Sequence, residues 1–322
     1  MKKHTMLKYV IKRLLLMVLT FAIIATMCFI LVKLLPLPAI KSQGRDVNLV
    51  IQRREAMGYD KPILVQYYRY WSHVFQGDFG LGEQLYTGQS VLDIMMTKMP
   101  YTVTVNLYSI MISVPLGLLL GIYAALRKNK WQDHVISTAV VVFISVPSYV
   151  YAFVVQYLLC FKTGWFPLTA ASRETTEFIS YAMFYSMFPA VISLAFGSIA
   201  GLCRFSRAEL AEVLTGDYLL LARTKGLTRS QAIVRHALRN AMVPILPMIL
   251  GEFIGILGGS MIIENIFSIP GVGNLYVNAI SVRDYNFFMF LTFFYTLIGL
   301  VAGLVVDLSY GFIDPRIKMG ER

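Results

Sequence analysis

Charged side chains make up only 15% of this 322-residue chain, against 57% hydrophobic residues and a mean hydropathy of +0.63. Soluble domains carry about 25% charged residues, so a single large water-soluble core is excluded. Cysteine is scarce as well. Cys28, Cys160 and Cys203 are odd in number, far apart and set in or beside apolar runs, which indicates packing residues and neither a disulfide framework nor a metal site. There is no glycine-rich loop ending in Gly-Lys-Ser/Thr, no HExxH and no GxSxG. Nucleotide hydrolysis therefore has no place on this chain, and nothing suggests a membrane protease or hydrolase.

What the chain has instead is long uncharged stretches. Leu14–Val32, Met99–Leu126, His134–Phe161, Phe178–Cys203, Asn240–Ile263 (broken only by Glu252) and Tyr285–Val306 each approach or exceed the roughly 20 residues that span a hydrocarbon core of about 30 Å. The fold class expected is an all-α polytopic membrane protein with six transmembrane helices. A small extracytoplasmic domain is expected between helices 1 and 2. The boundaries fall at 1–35 for the N-terminus and first helix, 36–98 for that domain, 99–310 for a five-helix core and 311–322 for a tail. The first run is read as an uncleaved anchor, because it ends in Lys33-Leu-Leu-Pro36-Leu-Pro38 and not at a small-residue cleavage site.

Residues 36–98 carry seven basic and six acidic side chains, so they belong in water. YDKPILVQYYRYWSHVF reads as a short helix with an aromatic face, and GDFGLG as a tight glycine turn. His73 there is read as structural. Gly117/Gly121, Gly251/Gly255 and Gly299/Gly303 lie one helical turn apart, a spacing that lets helices approach closely. Pro115, Pro147 and Pro189 suggest kinks.

A formal charge of +11 and an isoelectric point near 9.5 would suit nucleic acid, but the basic residues lie in short loops beside apolar runs, where they set membrane orientation. Eighteen Lys and Arg lie in the N-terminus, 127–134, 204–239 and the tail, against three in the opposite short loops. Both termini are expected in the cytoplasm of a multi-pass cell-membrane protein.

The largest cytoplasmic loop, Arg204–Arg239, holds seven basic and three acidic residues. At about 2.5 to 3.5 kcal/mol per charge, burying them in lipid would cost roughly 25 kcal/mol or more, so this is not another span. Asp217 is expected to cap a helix through Lys225, Gly226 to stop it, and Thr228 to cap a second helix through His236 towards Asn240. Composition leaves open whether this hairpin presses into a groove on another protein or lies on anionic lipid.

The stretch ARTKGLTRSQAIVRHALRNAMVP resembles the cytoplasmic coupling loop of the peptide and nickel class of ABC-transporter permeases. GDFGLG, ENIFSIPGVGNL, VRDYN and DPRIK agree in order, so the resemblance covers essentially the whole chain. It departs from the broad importer pattern of Glu-Ala-Ala, three residues, Gly, nine residues, Ile-x-Leu-Pro. With Gly226 aligned, Leu220 and Leu221 stand for Glu and Ala, Ala222 and Leu238 are kept, and His236 and Arg239 replace Ile and Pro.

The resemblance implies a non-enzymatic permease subunit of an ATP-driven importer of oligopeptides or dipeptides. It implies a second homologous permease, two ATP-binding subunits that hold ATP and Mg, and an extracytoplasmic substrate-binding protein. Membrane lipid is a partner; nucleic acid is not, and no cofactor or metal is expected on this chain. Asp217, Ala222, Arg223, Lys225, Gly226, His236, Arg239 and Asn240 are the candidate ATPase-coupling residues. Glu252, the one carboxylate inside a span, reads as lining the pathway or as half of a structural pair. Glu264, Phe267, Pro270, Gly271 and Gly273 form a turn that the resemblance places at the outer mouth. The alternatives are transport of nickel chelates or glutathione within the same class, or an ion-coupled secondary transporter, which would normally carry its own ion site and more spans.

Overall fold

The computed structural model describes residues 2–39, 45–171, 177 and 179–313; the terminal DPRIK and the cations of the tail lie outside them. Thirteen α-helices are found among the described residues, and no strand beyond two isolated bridges, Leu81 with Ser90 and Gly82 with Thr87. They are α1 (Lys2–Leu34), α2 (Arg45–Ala56), α3 (Ile63–Val74), α4 (Val91–Leu126), α5 (Trp131–Ser145), α6 (Ser148–Val155), α7 (Tyr181–Val213), α8 (Asp217–Thr224), α9 (Arg229–Ala232), α10 (Leu238–Gly255), α11 (Met261–Ile266), α12 (Gly273–Val282) and α13 (Tyr285–Ile313). Five of the helical stretches are long and apolar enough to cross a membrane, or six if α5 and the helical run Ser148–Lys162 count as one bent span. The protein is therefore an all-α polytopic membrane protein.

The third apolar stretch departs from a simple crossing. It turns by 101° between α5 and α6. Pro147 causes the break, because its ring forces the preceding residue out of the helical region, and Val146 is extended at φ −86°, ψ 127°. The segment then continues into a π-helical turn, Gln156–Lys162. Pro189 by contrast lies within an unbroken α7.

The chain divides into two compact units. The first comprises Met1–Thr102, Gly258–Met261 and Pro270–Val301. Its core joins Ala25, Cys28, Phe29 and Val32 of α1 to Tyr70 of α3 and to Tyr285, Met289 and Phe293 of α13. The expected aromatic face is real: Tyr67, Tyr70 and Trp71 lie on one side of α3, and Trp71 stacks on Phe293 at 5.6 Å and 7°. A second cluster in this unit packs Val91 and Met95 against Val272, Leu275, Ala279, Phe287 and Leu291. His73 Nδ1 lies 3.0 Å from the Asp78 carboxylate, which also pairs with Arg53.

The second unit comprises Val103–Leu257, Ile262–Ile269 and Ala302–Arg322. α7 is its axis, with Ala190, Ser193, Ala195, Ala200 and Cys203 buried along its length. These small residues let α4 approach closely. A Cβ on Gly117 would stand 2.7 Å from the Leu202 Cβ, and one on Gly121 would stand 2.7 Å from the Cys203 carbonyl oxygen and 2.8 Å from the Ser206 Cβ. The other two glycine pairs do not serve this purpose within the described chain, since nothing lies within 4 Å of a Cβ built on Gly255, Gly299 or Gly303.

Gly121→Ala should therefore cost about 1 to 3 kcal/mol, the range for overpacking a close contact. Gly299→Ala should be neutral or slightly stabilising. Thermal unfolding in detergent measures both, and equal effects would contradict the assignment of Gly121 as a packing glycine.

Candidate functional sites

The basic hairpin belongs to the second unit. α7 runs past Arg204 as far as Val213, so the break in helical structure is short. α8 follows, and here the expected cap is corrected. Gly216 occupies the capping position with no side-chain hydrogen bond, and Asp217 is the first helical residue, where a carboxylate is favoured by the helix dipole. Gly216 supplies no side chain, so the role passes to charge alone. α8 stops as predicted at Gly226, whose φ of +90° is a conformation L side chains rarely adopt.

Thr228 opens the second arm with a reciprocal cap. Its Oγ1 accepts from the Gln231 amide at 3.3 Å, and its own amide donates to Gln231 Oε1 at 3.1 Å. The arm does not end near Asn240. Through a π-helical turn at Ile233–Ala237 it passes directly into α10 and the fifth apolar stretch. The second arm of the hairpin is thus a continuous helical extension of a membrane helix.

Burial sorts the hairpin residues into two faces. Ala222, Ala232 and Ala237 are buried, and Leu219 packs against Leu210, Ala211, Ala241 and Ile245. Leu220, Leu221 and Val234 are 64%, 56% and 60% exposed, and Asp217, Arg223, Lys225, Gly226, His236, Arg239 and Asn240 are exposed beside them. Of the predicted coupling residues only Ala222 points inward. The hairpin therefore exposes three apolar side chains among mostly basic and polar ones.

One ion pair braces the approach to this hairpin, and it was not singled out from sequence. Asp133, 1% exposed near the start of α5, receives Arg207 Nε at 2.5 Å and Nη2 at 2.7 Å, together with the Asn129 amide at 2.9 Å and Ser137 Oγ at 3.3 Å. A bidentate guanidinium and two further donors compensate the loss of water around this carboxylate. The turn before α5 is thereby tied to α7. Only the position of an acid in a first helical turn hinted at it.

In the same unit Glu252 is half-buried on α10 and enters none of the ion pairs among the described residues. Glu264 and Phe267 are buried, at 0% and 4% exposure. Their turn closes through the Ile269 amide, which donates to the Glu264 carbonyl at 2.7 Å, and through Gln156 Nε2, which donates to the Ile266 carbonyl at 2.6 Å.

Pro270, Gly271 and Gly273 belong to the first unit. Gly273 opens α12, and the preceding amide of Val272 donates to Thr102 Oγ1 at 2.8 Å. The first unit is closed by Asp284, which sequence reading noted only as part of VRDYN. Fully buried, its Oδ2 accepts the amides of Glu83, Gln84 and Leu85 at 2.8, 2.7 and 2.8 Å. Its Oδ1 accepts the Phe287 amide at 3.3 Å, which caps α13. Burial pushes the Asp284 carboxyl above the usual carboxylate range, and the four amides pull it back. The next residues of VRDYN extend the clasp: Asn286 Nδ2 donates to the Leu81 carbonyl at 2.8 Å, and the Tyr285 hydroxyl to the Pro36 carbonyl at 3.0 Å.

Glu83, 3% exposed, is held by Arg54 Nη2 at 2.5 Å. This polar knot encloses a cavity of about 20 Å³ lined by Lys33, Tyr59, Asn286 and their neighbours, room for a single water. A larger cavity of about 220 Å³ opens beside Gln84, Lys98, Pro270 and Gly271.

The sequence then meets known proteins. The chain belongs to the family described as binding-protein-dependent transport system inner membrane component, which matches residues 117–319, and the companion family for the N-terminal part of such membrane components matches 6–106. A dipeptide transport system permease protein of Lactococcus lactis subsp. cremoris is 34% identical over 314 residues, 98% of this chain and 100% of its own length. An oligopeptide transport system permease protein of Haemophilus influenzae is 32% identical, covering 97% of this chain and 100% of its own. A glutathione transport system permease protein of Salmonella paratyphi A is also 32% identical, covering 97% and 99%.

The Asp284 clasp yields a direct test. Asp284→Asn places an amide nitrogen or an uncharged oxygen against three N–H groups, and should destabilise the protein by about 1 to 3 kcal/mol, the cost of unsatisfied buried polar groups. Urea or thermal unfolding in detergent reads the change. An Asn variant as stable as the parent would show that the amides find equivalent partners without the charge.

Proposed function

We propose that this chain is a permease subunit of an ATP-driven importer of peptides and forms half of the translocation pathway. In this reading a second homologous permease completes the pathway, two cytoplasmic ATP-binding subunits drive it, and an extracytoplasmic binding protein delivers the substrate. The chain sits in the cell membrane with both termini in the cytoplasm and performs no hydrolysis itself. Peptide as the cargo is supported by the names of the dipeptide and oligopeptide relatives.

The observation that carries the reading is the two-faced hairpin. Leu220, Leu221 and Val234 are large apolar side chains left exposed between cations, and burying one such side chain contributes about 1.5 to 3 kcal/mol. A groove in a partner subunit would bury them, and the unbroken path from Ile233 into α10 would carry the partner's movement into the membrane as a rigid-body tilt. Arg223 and Lys225 would meet an acidic rim.

The test is assembly and coupled hydrolysis. Purified with its partner permease, ATPases and binding protein, the chain should form a stable complex whose ATPase rate rises when binding protein and peptide are added. Gly226→Pro cannot adopt a φ of +90° and should abolish the stimulation; Arg223→Glu should weaken assembly about tenfold or more, as charge reversal at an interface does. Full assembly and stimulation in both variants would refute the role given to the hairpin. Stimulation by glutathione but by no di- or oligopeptide would redirect the substrate to that of the third relative.

A further inference from the structure

A cavity of about 220 Å³ in the first unit is bordered by Gln84, Tyr86, Lys98, Pro270, Asn274 and Asn278. We propose that it is a subsite for the C-terminal carboxylate of the transported peptide, with Lys98 as the counter-charge. The proposal rests on the reading of the chain as a peptide permease.

Charge is the first argument. Lys98 is the one charged residue that lines the cavity, and it enters no ion pair among the described residues. Its ammonium is steadied 5.2 Å from the centre of the Tyr86 ring, an arrangement that fixes the cation without neutralising it. A cavity with one cation and no acid favours an anionic ligand and disfavours a free metal ion or an amine.

Polar lining is the second. Besides Lys98 the cavity is bordered by Gln84, Asn274 and Asn278 and by no carboxylate, and the turn that carries Gln84 is held in place because the Gln84 and Leu85 amides both donate to Asp284.

Size is the third. Pockets that enclose whole drug-sized ligands begin at roughly 300 Å³, so this cavity takes one end of a molecule and leaves the rest of the peptide outside. Recognition of a terminus, indifferent to side chains, suits a permease that passes many sequences. A protruding acidic side chain of a docked binding protein is a less fitting occupant for a recessed space of this kind, and the experiment separates the two.

The complete transporter, reconstituted in proteoliposomes, is supplied with tri-alanine or with its C-terminal amide, each at saturating binding protein. Uptake of the acid should fall about fivefold in Lys98→Met, as expected for loss of one partly exposed charge pair. Uptake of the amide should stay unchanged, which also shows that the variant is folded and coupled. Lys98→Arg should keep the preference for the acid. Equal losses for acid and amide would overturn the proposal and assign Lys98 to docking or assembly, as would a preference for the acid that survives Lys98→Met. Should the parent transporter take up neither peptide, the peptide-permease reading fails and the subsite fails with it.

Discussion

A single carboxylate removed from water organises the first unit. An ionised side chain in such a place costs several kcal/mol unless its lone pairs are met, and Asp284 meets that demand with three consecutive amides 199 to 201 positions away in the chain and a fourth that caps α13. The Glu83–Leu85 turn is therefore fixed in place by chemistry that no neighbouring residue could supply. From it follow the seat of Glu83 beside Arg54, the anchoring of Asn286 on Leu81, and the orientation of Gln84. Hydrophobic packing of α1, α3 and α13 supplies the bulk of the unit, but packing is non-directional, and the polar clasp sets the register.

The second unit follows the same rule with different parts. Its buried acid, Asp133, is matched by the fork of Arg207, and helix contact depends on Gly117 and Gly121 against α7. In each unit a buried aspartate is saturated with donors: Asp284 in the first and Asp133 in the second. The hairpin is the contrast: seven basic and three acidic residues across 204–239, with most of the coupling candidates exposed beside bare leucines. Surfaces of that composition are completed by something else, and the proposed partner is an ATP-hydrolysing subunit.

Much of this was legible in the order of residues because periodicity and length are strong signals. Six apolar stretches, the aromatic face of α3, the stop at Gly226 and the cap at Thr228 could all be read from local patterns. Two local expectations required correction for local reasons: Gly216 precedes Asp217 at the cap, and Pro147 divides the third stretch by a 101° turn where a kink was expected. Asp284 and the Arg207–Asp133 pair were not legible, since their meaning lies in partners 200 and 74 positions away. No periodicity encodes such pairings.

The measurement that bears most directly on the central claim is a contact at the hairpin. Cys28, Cys160 and Cys203 are all buried, so a cysteine introduced at Leu221, 56% exposed, can be addressed alone with a short bifunctional maleimide in the assembled transporter. The account predicts a cross-link to an ATP-binding subunit whose yield changes when ATP is bound. A fully assembled, active complex in which Leu221→Cys links to no ATP-binding subunit and is reached only by lipid-borne probes would contradict it.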